Sequence, residues 1–351
     1  MPKHAPFKVA AVQASPVFLD TAATVDKACR LIREAAAGGA QLVLFPEVFV
    51  SAYPYWSWIG SPIAAGPWFQ RLCESAVEVP GPEVARIAQA ARECGLHVAI
   101  GINERAPRSL TTIYNTMLLI GPNGQLLGRH RKLVPTWAEK LTWTPGDGAG
   151  LRVHDTALGP IGMLACGENT NTLARFALLA QGELVHLASY ISLPVAPPDY
   201  DMAEAIKVRA MAHSFEGKVY TVVSCSTIST ETIAQMEQAF PGSAALLGRG
   251  NSAFSGVIGP DGRVLGQPLI DAEGIVYADI DLARCIQPRQ MHDITGHYNR
   301  FDVFDLRVNR RSLAPATFHD GDPAALPELL AAQPPLASAP GEADRNTGHN
   351  D

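Results

Sequence analysis

Three side chains of different chemistry stand at positions where a fold could bring them together: a thiol, a carboxylate and an amine. Cys166 follows the apolar run 161–165 and precedes a helical pattern over 170–181. Open α/β sheets place their sites at such strand ends. The start of a helix would favour a thiolate there, although a cysteine taken alone in this place is more often structural. Glu47, in LVLFPEVF, directly follows a strand that reads as buried. A buried carboxylate is costly without a partner or a task. Burial would raise its pKa toward the range where it can shuttle protons; the plain alternative is a solvated loop glutamate. Lys132, in GRHRKLVPTWAEK, sits at a strand end, where lysine is usually a surface charge. A buried ammonium there would stabilise an oxyanion or an anionic tetrahedral nitrogen. Glu139 lies beyond a Pro-Thr-Trp turn and could reach back to orient the lysine or a substrate.

The elements that must position these groups alternate. Residues 7–13 read as a strand, and 21–37 as a helix ended by Gly38-Gly39. Residues 42–45 form a short apolar strand, 83–94 a helix closed by Gly95, and 97–102 another apolar strand. Strands are expected at 161–165, 184–189 and 219–224, with a helix over 202–216. Residues 230–250 read as an insertion. This alternation implies an α/β, layered architecture. IGPNGQLLG at 120–128 is echoed by IGPDGRVLG at 258–266, each a strand, a Pro-Asn-Gly or Pro-Asp-Gly turn and a returning strand. Either this is a chance repeat of a common hairpin, or two similar halves each supply a sheet, giving two facing sheets with helices outside.

Together the motifs resemble the nitrilase superfamily of carbon–nitrogen hydrolases, over roughly residues 7–309. The carriers are FPE at Glu47, HRKLVPT at Lys132, the following Glu139, and Cys166 in LACGEN. AYPYWSWIG, WTPGDG, DYDMAEAIKVRAMAHSFEGK and GHYNRFDVF (around His297 and Tyr298) are similar to the nitrilase branch itself. The resemblance implies a four-layer αββα sandwich with two facing sheets. It implies Cys166 as nucleophile, Glu47 as general base, Lys132 as stabiliser of the tetrahedral intermediate, and Glu139 as the family's second glutamate. Many members have Trp after the cysteine; here the run is Cys166-Gly167-Glu168-Asn169. The glycine removes bulk beside the nucleophile, which bears on substrate size.

The implied reaction is hydrolysis of a small organic nitrile by water, through a thioimidate and a thioester, to a carboxylic acid and ammonia. Tyr53, Trp56 and Trp143, with Gly167, Glu168 and Asn169, are the expected substrate pocket, and aromatic or arylacetonitrile-like substrates are favoured. Cyanide dihydratase or hydratase and aliphatic amidase chemistry are the rivals on the same scaffold; an inactive filament-forming scaffold is the non-enzymatic one. The resemblance also implies homo-oligomers, dimers that build helical spirals. Contacts are expected at 48–69, at 230–250 and in the tail.

Composition removes other classes. Of 351 residues 47% are hydrophobic and 18% charged, as in a folded protein with a sizeable core. The net charge of −6 and the lack of a basic run disfavour a nucleic-acid partner. The uncharged stretch 48–69 is long enough to span a bilayer, but Pro54, Pro62, Pro67, Gly60 and Gly66 break it, so no membrane role is expected. An aromatic-rich loop lining a pocket or interface is expected instead. Six scattered cysteines without zinc-like spacing predict a reducing, cytoplasmic setting and no metal. His130 and His213 are expected to be structural or surface residues, and no cofactor is expected. The domain is expected over 1–311, followed by a Pro/Ala-rich disordered tail, 312–351.

Overall fold

The computed structural model describes residues 4–195, 197, 199–314 and 316. All but the first few positions of the expected tail lie outside them. The strands are β1 (Phe7–Gln13), β2 (Leu42–Leu44), β3 (His97–Arg105), β4 (Ile113–Ile120), β5 (Leu126–Arg131) and β6 (His154–Thr156), then β7 (Gly159–Ala165), β8 (Val185–Tyr190), β9 (Tyr220–Cys225), β10 (Phe254–Ile258), β11 (Val264–Ile270) and β12 (Gly274–Ile280). They form two six-stranded sheets, ordered β12-β1-β2-β3-β4-β5 and β11-β10-β9-β8-β7-β6.

The two sheets are built alike. In the first, β1, β2 and β3 run parallel and the hairpin β4–β5 closes the edge antiparallel. In the second, β7, β8 and β9 run parallel and the hairpin β10–β11 does the same. The repeated nine-residue motif is the turn of these two hairpins. Gly121 N–H bonds the Gln125 carbonyl at 2.8 Å, and Gly259 N–H bonds the Arg263 carbonyl at 2.8 Å. Gly124 and Gly262 take φ of 77° and 79°, a region open to glycine at little cost. The echo therefore marks two similar halves.

Buried side chains fix the layers. Val9, Leu42, Leu44, Ala99 and Met117 of the first sheet share one apolar core with Ile161, Met163, Val185, Leu187 and Val222 of the second. On the outer face of the first sheet, Val25, Ile32, Val84 and Ile87 of helices Thr21–Ala37 and Pro82–Cys94 pack on Val43, Val98 and Ile100. On the outer face of the second, helices Thr172–Leu179 and Met202–Gly217 bury Leu178 and Ile206. The result is an αββα sandwich. Successive parallel strands leave both faces apolar, which is why β2 and β8 are uninterrupted buried runs.

Residues 48–69 do not form an open loop. They contain helix Trp56–Ile59 and the start of helix Gly66–Ser75, and they bury Val48, Tyr53, Tyr55 and Trp56 in an aromatic cluster with Trp143. The expected insertion is two helices, Thr230–Ala239 and Ser243–Leu247. Among the described residues, no helix is long and apolar enough to cross a membrane.

Candidate active site

Glu47 leaves the end of β2, Lys132 leaves the end of β5, and Cys166 leaves the end of β7. The Glu47 loop is seated by a missing side chain. Gly101 of β3 donates its N–H to the Pro46 carbonyl at 3.2 Å, and a Cβ on Gly101 would lie 2.3 Å from the Val48 nitrogen. Val48, Ser51 and Ala52 all carry positive φ, so the backbone around Glu47 is strained and held by its surroundings. Glu47 N–H also bonds the Tyr190 carbonyl at 3.2 Å, tying this loop to the end of β8 in the other sheet.

The expected polar residues meet in one buried cluster. Lys132 Nζ donates to Glu47 Oε1 at 2.9 Å and to Glu139 Oε2 at 2.7 Å, and all three side chains are withdrawn from solvent. Glu139 sits in a short helical turn, Trp137–Leu141, and its Oε2 also accepts the Thr136 N–H at 2.6 Å in a capping box. Tyr53 Oη donates to Glu139 Oε1 at 2.8 Å, and Trp58 Nε1 donates to Tyr53 Oη at 2.8 Å. The Trp143 ring lies 5.9 Å from the Lys132 ammonium, and its Nε1 is spent on Asn103 Oδ1 at 2.8 Å.

Asn115 is a member that sequence reading missed. Its Nδ2 donates to Glu47 Oε1 at 2.7 Å. The available signal was an amide inside the apolar strand β4. Glu47 Oε2 is buried and without a hydrogen-bond partner.

These contacts set the charges. Burial pushes the Glu47 carboxyl above its usual value; Lys132 opposes that shift and Glu139 adds to it. Burial alone would neutralise Lys132, but the carboxylates of Glu139 and Glu47 outweigh it and hold the ammonium well above its usual range. The Cys166 thiol is pushed well up, first by burial and then by Glu47, with Lys132 opposing. The lowering of the thiol expected from a following helix is outweighed here by burial and by Glu47. Cys166 begins a tight 3-10 turn, Cys166–Thr170, and the α-helix starts only at Thr172 behind its N-cap Asn171. The 3-10 turn that starts at Cys166 does not offset that rise.

The residues expected to form the pocket take different places. Trp56 is 1% exposed, stacked on Trp68 and edge-on to Phe18. Tyr53 and Trp143 are buried partners of Glu139 and Lys132, so they shape the polar cluster. Glu168 and Asn169 are buried, and their polar atoms serve the scaffold. Glu168 Oε1 accepts Leu133 N–H at 2.8 Å, and Oε2 meets Ala165 N–H at 3.0 Å and His130 Nε2 at 2.8 Å. Glu168 thus ties the residue after Lys132 to the residue before Cys166. Gly167 is half-buried, and a Cβ there would stand 3.0 Å from Thr136 Oγ1. His130 and His213 are both buried and face carboxylates. Among the described residues, Glu183, His186 and His213 bring three ligand-type atoms within 4.8 Å. Those atoms already face one another in hydrogen bonds.

A family model for carbon-nitrogen hydrolases matches residues 8–290. The chain belongs to the carbon–nitrogen hydrolase family. It is an enzyme of the nitrilase kind, a hydrolase acting on carbon–nitrogen bonds other than peptide bonds. An aliphatic nitrilase of Rhodococcus rhodochrous is 39% identical over 317 residues, spanning 88% of this chain and 84% of that protein. A bromoxynil-specific nitrilase of Klebsiella pneumoniae subsp. ozaenae is 35% identical over 311 residues, 87% of this chain and 86% of that one. The crystal structure of a carbon-nitrogen hydrolase from Helicobacter pylori superposes with a TM-score of 0.64 at 19% identity, over 82% of this chain and 93% of its own. That likeness is one of fold, and it extends to this carbon–nitrogen hydrolase the same αββα layering.

Proposed function

We propose that this enzyme hydrolyses an organic nitrile to a carboxylic acid and ammonia, with Cys166 as nucleophile, Glu47 as general base and Lys132 and Glu139 completing the site. The observation that carries this reading is the division of labour on one carboxylate. Glu47 Oε1 is occupied by Lys132 and Asn115, while Oε2 is buried and unpartnered. That oxygen is available to take a proton.

The thiol proton passes to Glu47 as sulfur bonds the nitrile carbon. One π pair of the C≡N bond moves to nitrogen, which takes the proton back and leaves a thioimidate. Water then adds to that carbon, with Glu47 accepting its proton. Nitrogen takes that proton, and as the C–N bond of the tetrahedral adduct breaks the adduct's hydroxyl gives up its own proton, which Glu47 passes to the departing nitrogen; nitrogen leaves with three hydrogens as ammonia and the hydroxyl oxygen becomes the thioester carbonyl. The thioester that remains is opened by a second water, which returns the proton to sulfur and releases the acid. Lys132 stabilises the charge that builds on the adduct, an effect of about 3–4 kcal/mol for a preorganised donor.

Aromatic and arylacetonitrile-like substrates are the favoured class. A cavity of about 490 Å³ is lined by Trp58, Trp137, Leu193, Val195, Pro197 and Tyr200. It adjoins the site through Trp58, whose indole bonds Tyr53 and thereby Glu139. Self-association is supported by apolar side chains exposed on the outer helices: Leu173, Val208 and Phe215. The six unpaired cysteines support a reducing, cytoplasmic setting.

Ammonia release is measured from phenylacetonitrile, benzonitrile, a short aliphatic nitrile, cyanide and acetamide. Arylnitrile turnover that vanishes in Cys166→Ala is expected. Activity on acetamide alone, or unchanged turnover in Cys166→Ala, overturns the reading. Sedimentation as a 37.5 kDa species alone would overturn self-association.

A further inference from the structure

A buried polar chain runs behind the nucleophile and uses side chains that the mechanism leaves idle. Asn169 Nδ2 donates to two carbonyls, Cys166 at 3.0 Å and Leu164 at 3.2 Å. Those acceptors fix which way the amide faces, so Asn169 Oδ1 must accept from His186 Nε2 at 2.7 Å. The other ring nitrogen, Nδ1, meets Glu183 Oε1 at 2.7 Å, and Glu183 Oε2 meets His213 Nε2 at 2.9 Å. Asn169, His186, Glu183 and His213 are all nearly or fully buried. The place for Glu183 is cut out of β7: a Cβ on Gly162 would sit 2.0 Å from its Oε1.

The proton positions follow from the acceptors. Burial favours a neutral Glu183, but His186 and His213 prevail and hold it down to about 2, so it is a carboxylate. A carboxylate offers no proton. His186 therefore stands between two acceptors, Glu183 Oε1 at one nitrogen and Asn169 Oδ1 at the other. Burial, and after it the neighbouring His186, push His213 down to about 4, so it donates from Nε2 as the neutral ring.

We propose that Asn169, backed by His186 and Glu183, is a positioning residue that grips the Cys166 carbonyl and thereby aims the Gly167 N–H at the reacting carbon's substituent. The inference rests on Cys166 being the nucleophile. Cys166 has φ of 48°, a left-handed conformation that an L side chain holds only under restraint. The carbonyl of Cys166 and the N–H of Gly167 belong to one planar trans peptide and point in opposite directions. Fixing the first fixes the second. Gly167 lies in the first turn of the 3-10 segment, where N–H groups have no partner within the turn. A hydrogen bond on the carbonyl also polarises the peptide and strengthens that N–H as a donor to developing negative charge.

Full-length Asn169→Ala, His186→Ala and His186→Gln are compared with the parent on the fastest nitrile of the panel above. Rates are normalised to the amount of Cys166 that iodoacetamide alkylates, counted by peptide mass. Asn169→Ala and His186→Ala should lose at least about tenfold in kcat, with KM held within about twofold, because a small misplacement at the reacting centre is costly. His186→Gln, which keeps a donor for Asn169, should recover most of the loss. An unchanged kcat per alkylated thiol in Asn169→Ala overturns the proposal. If Asn169→Ala does not fold, equal kcat in the two His186 variants overturns it instead. Turnover retained in Cys166→Ala overturns both this inference and the nitrilase mechanism. Turnover lost there but intact in Asn169→Ala overturns this inference alone.

Discussion

Lys132→Met keeps the length of the side chain and deletes its charge. The ammonium it removes stands 2.9 Å from Glu47 and 2.7 Å from Glu139, with none of the three exposed. At an effective dielectric of about 20, each contact is a gross attraction of about 6 kcal/mol. Most of that offsets the desolvation of the three charges. Removing one partner of a buried ion pair leaves the other uncompensated, and the net loss is about 3–5 kcal/mol. Here two carboxylates would be left sharing one dry space, so one takes a proton and its pKa climbs further.

The sign of the pH dependence follows. A carboxyl whose folded pKa lies above its unfolded value stabilises most when protonated, and that stability is lost as pH rises through the folded pKa. Glu47 already sits above its usual value in the intact cluster, so the parent loses some stability in the same direction. In the variant the carboxyls are pushed higher, so the loss continues to higher pH. Lys132 is raised in the parent, so its own contribution is intact below about pH 10. The stability gap between parent and variant should widen from about pH 5 to pH 8. Urea denaturation of both proteins across that window measures it, alongside a loss of about 10²–10³ in kcat. A gap below about 1 kcal/mol at pH 8, or one that shrinks as pH rises, would refute the reasoning.

Two further perturbations test the frame around the cluster. Gly101→Ala puts a Cβ 2.3 Å from the Val48 nitrogen and 2.5 Å from the Pro46 carbonyl oxygen. Neither neighbour is a flexible side chain, so the variant should lose about 1–3 kcal/mol in chemical denaturation and lose turnover as Glu47 shifts; wild-type kinetics would contradict this. The acid limb of kcat/KM should lie above the ordinary glutamate value of about 4.3, because Glu47 must be ionised to act and burial raises it. Asn115→Ala removes a hydrogen bond that favours the carboxylate, so the limb should move further up, and a downward move counts against Glu47 as the base.

What could be read from the chain was what local chemistry determines. Helix Thr21–Ala37 is bounded as its pattern predicts, with Asp20 capping one end through the Ala23 N–H and glycines following the other. The doubled turn announced the doubled sheet because both copies need glycine at the same positive φ. Glu47, Lys132 and Glu139 stood out because charges beside apolar strands need partners. Partners distant in sequence did not stand out. Asn115 meets Glu47 across 68 residues, and Tyr53 meets Glu139 across 86. Aromatic composition could not separate Trp56, locked against Trp68, from Trp58, which lines the cavity. The state of the thiol was also illegible, because it depends on burial beside Glu47 and on a helix that begins later than its pattern suggests.

On the proposed mechanism, the charge balance keeps the thiol protonated until substrate arrives. Glu47, Lys132 and Glu139 together carry one net negative charge in a space closed to water. A resting thiolate would add a second, at a cost that the single ammonium cannot offset. Passing the thiol proton to Glu47 changes nothing in the total, because one anion is exchanged for another. With the proton on Oε2, the Oε1 contact to Lys132 becomes one to a neutral carboxyl oxygen, which leaves the ammonium's charge to meet the charge that develops on substrate. On the proposed mechanism, base and electrostatic stabiliser are thus one coupled unit. Substituting either should therefore cost nearly as much in rate as substituting both, and the double variant Glu47→Gln/Lys132→Met measures that directly. Rate losses that simply add would show two independent groups and sever the link between proton transfer and charge stabilisation.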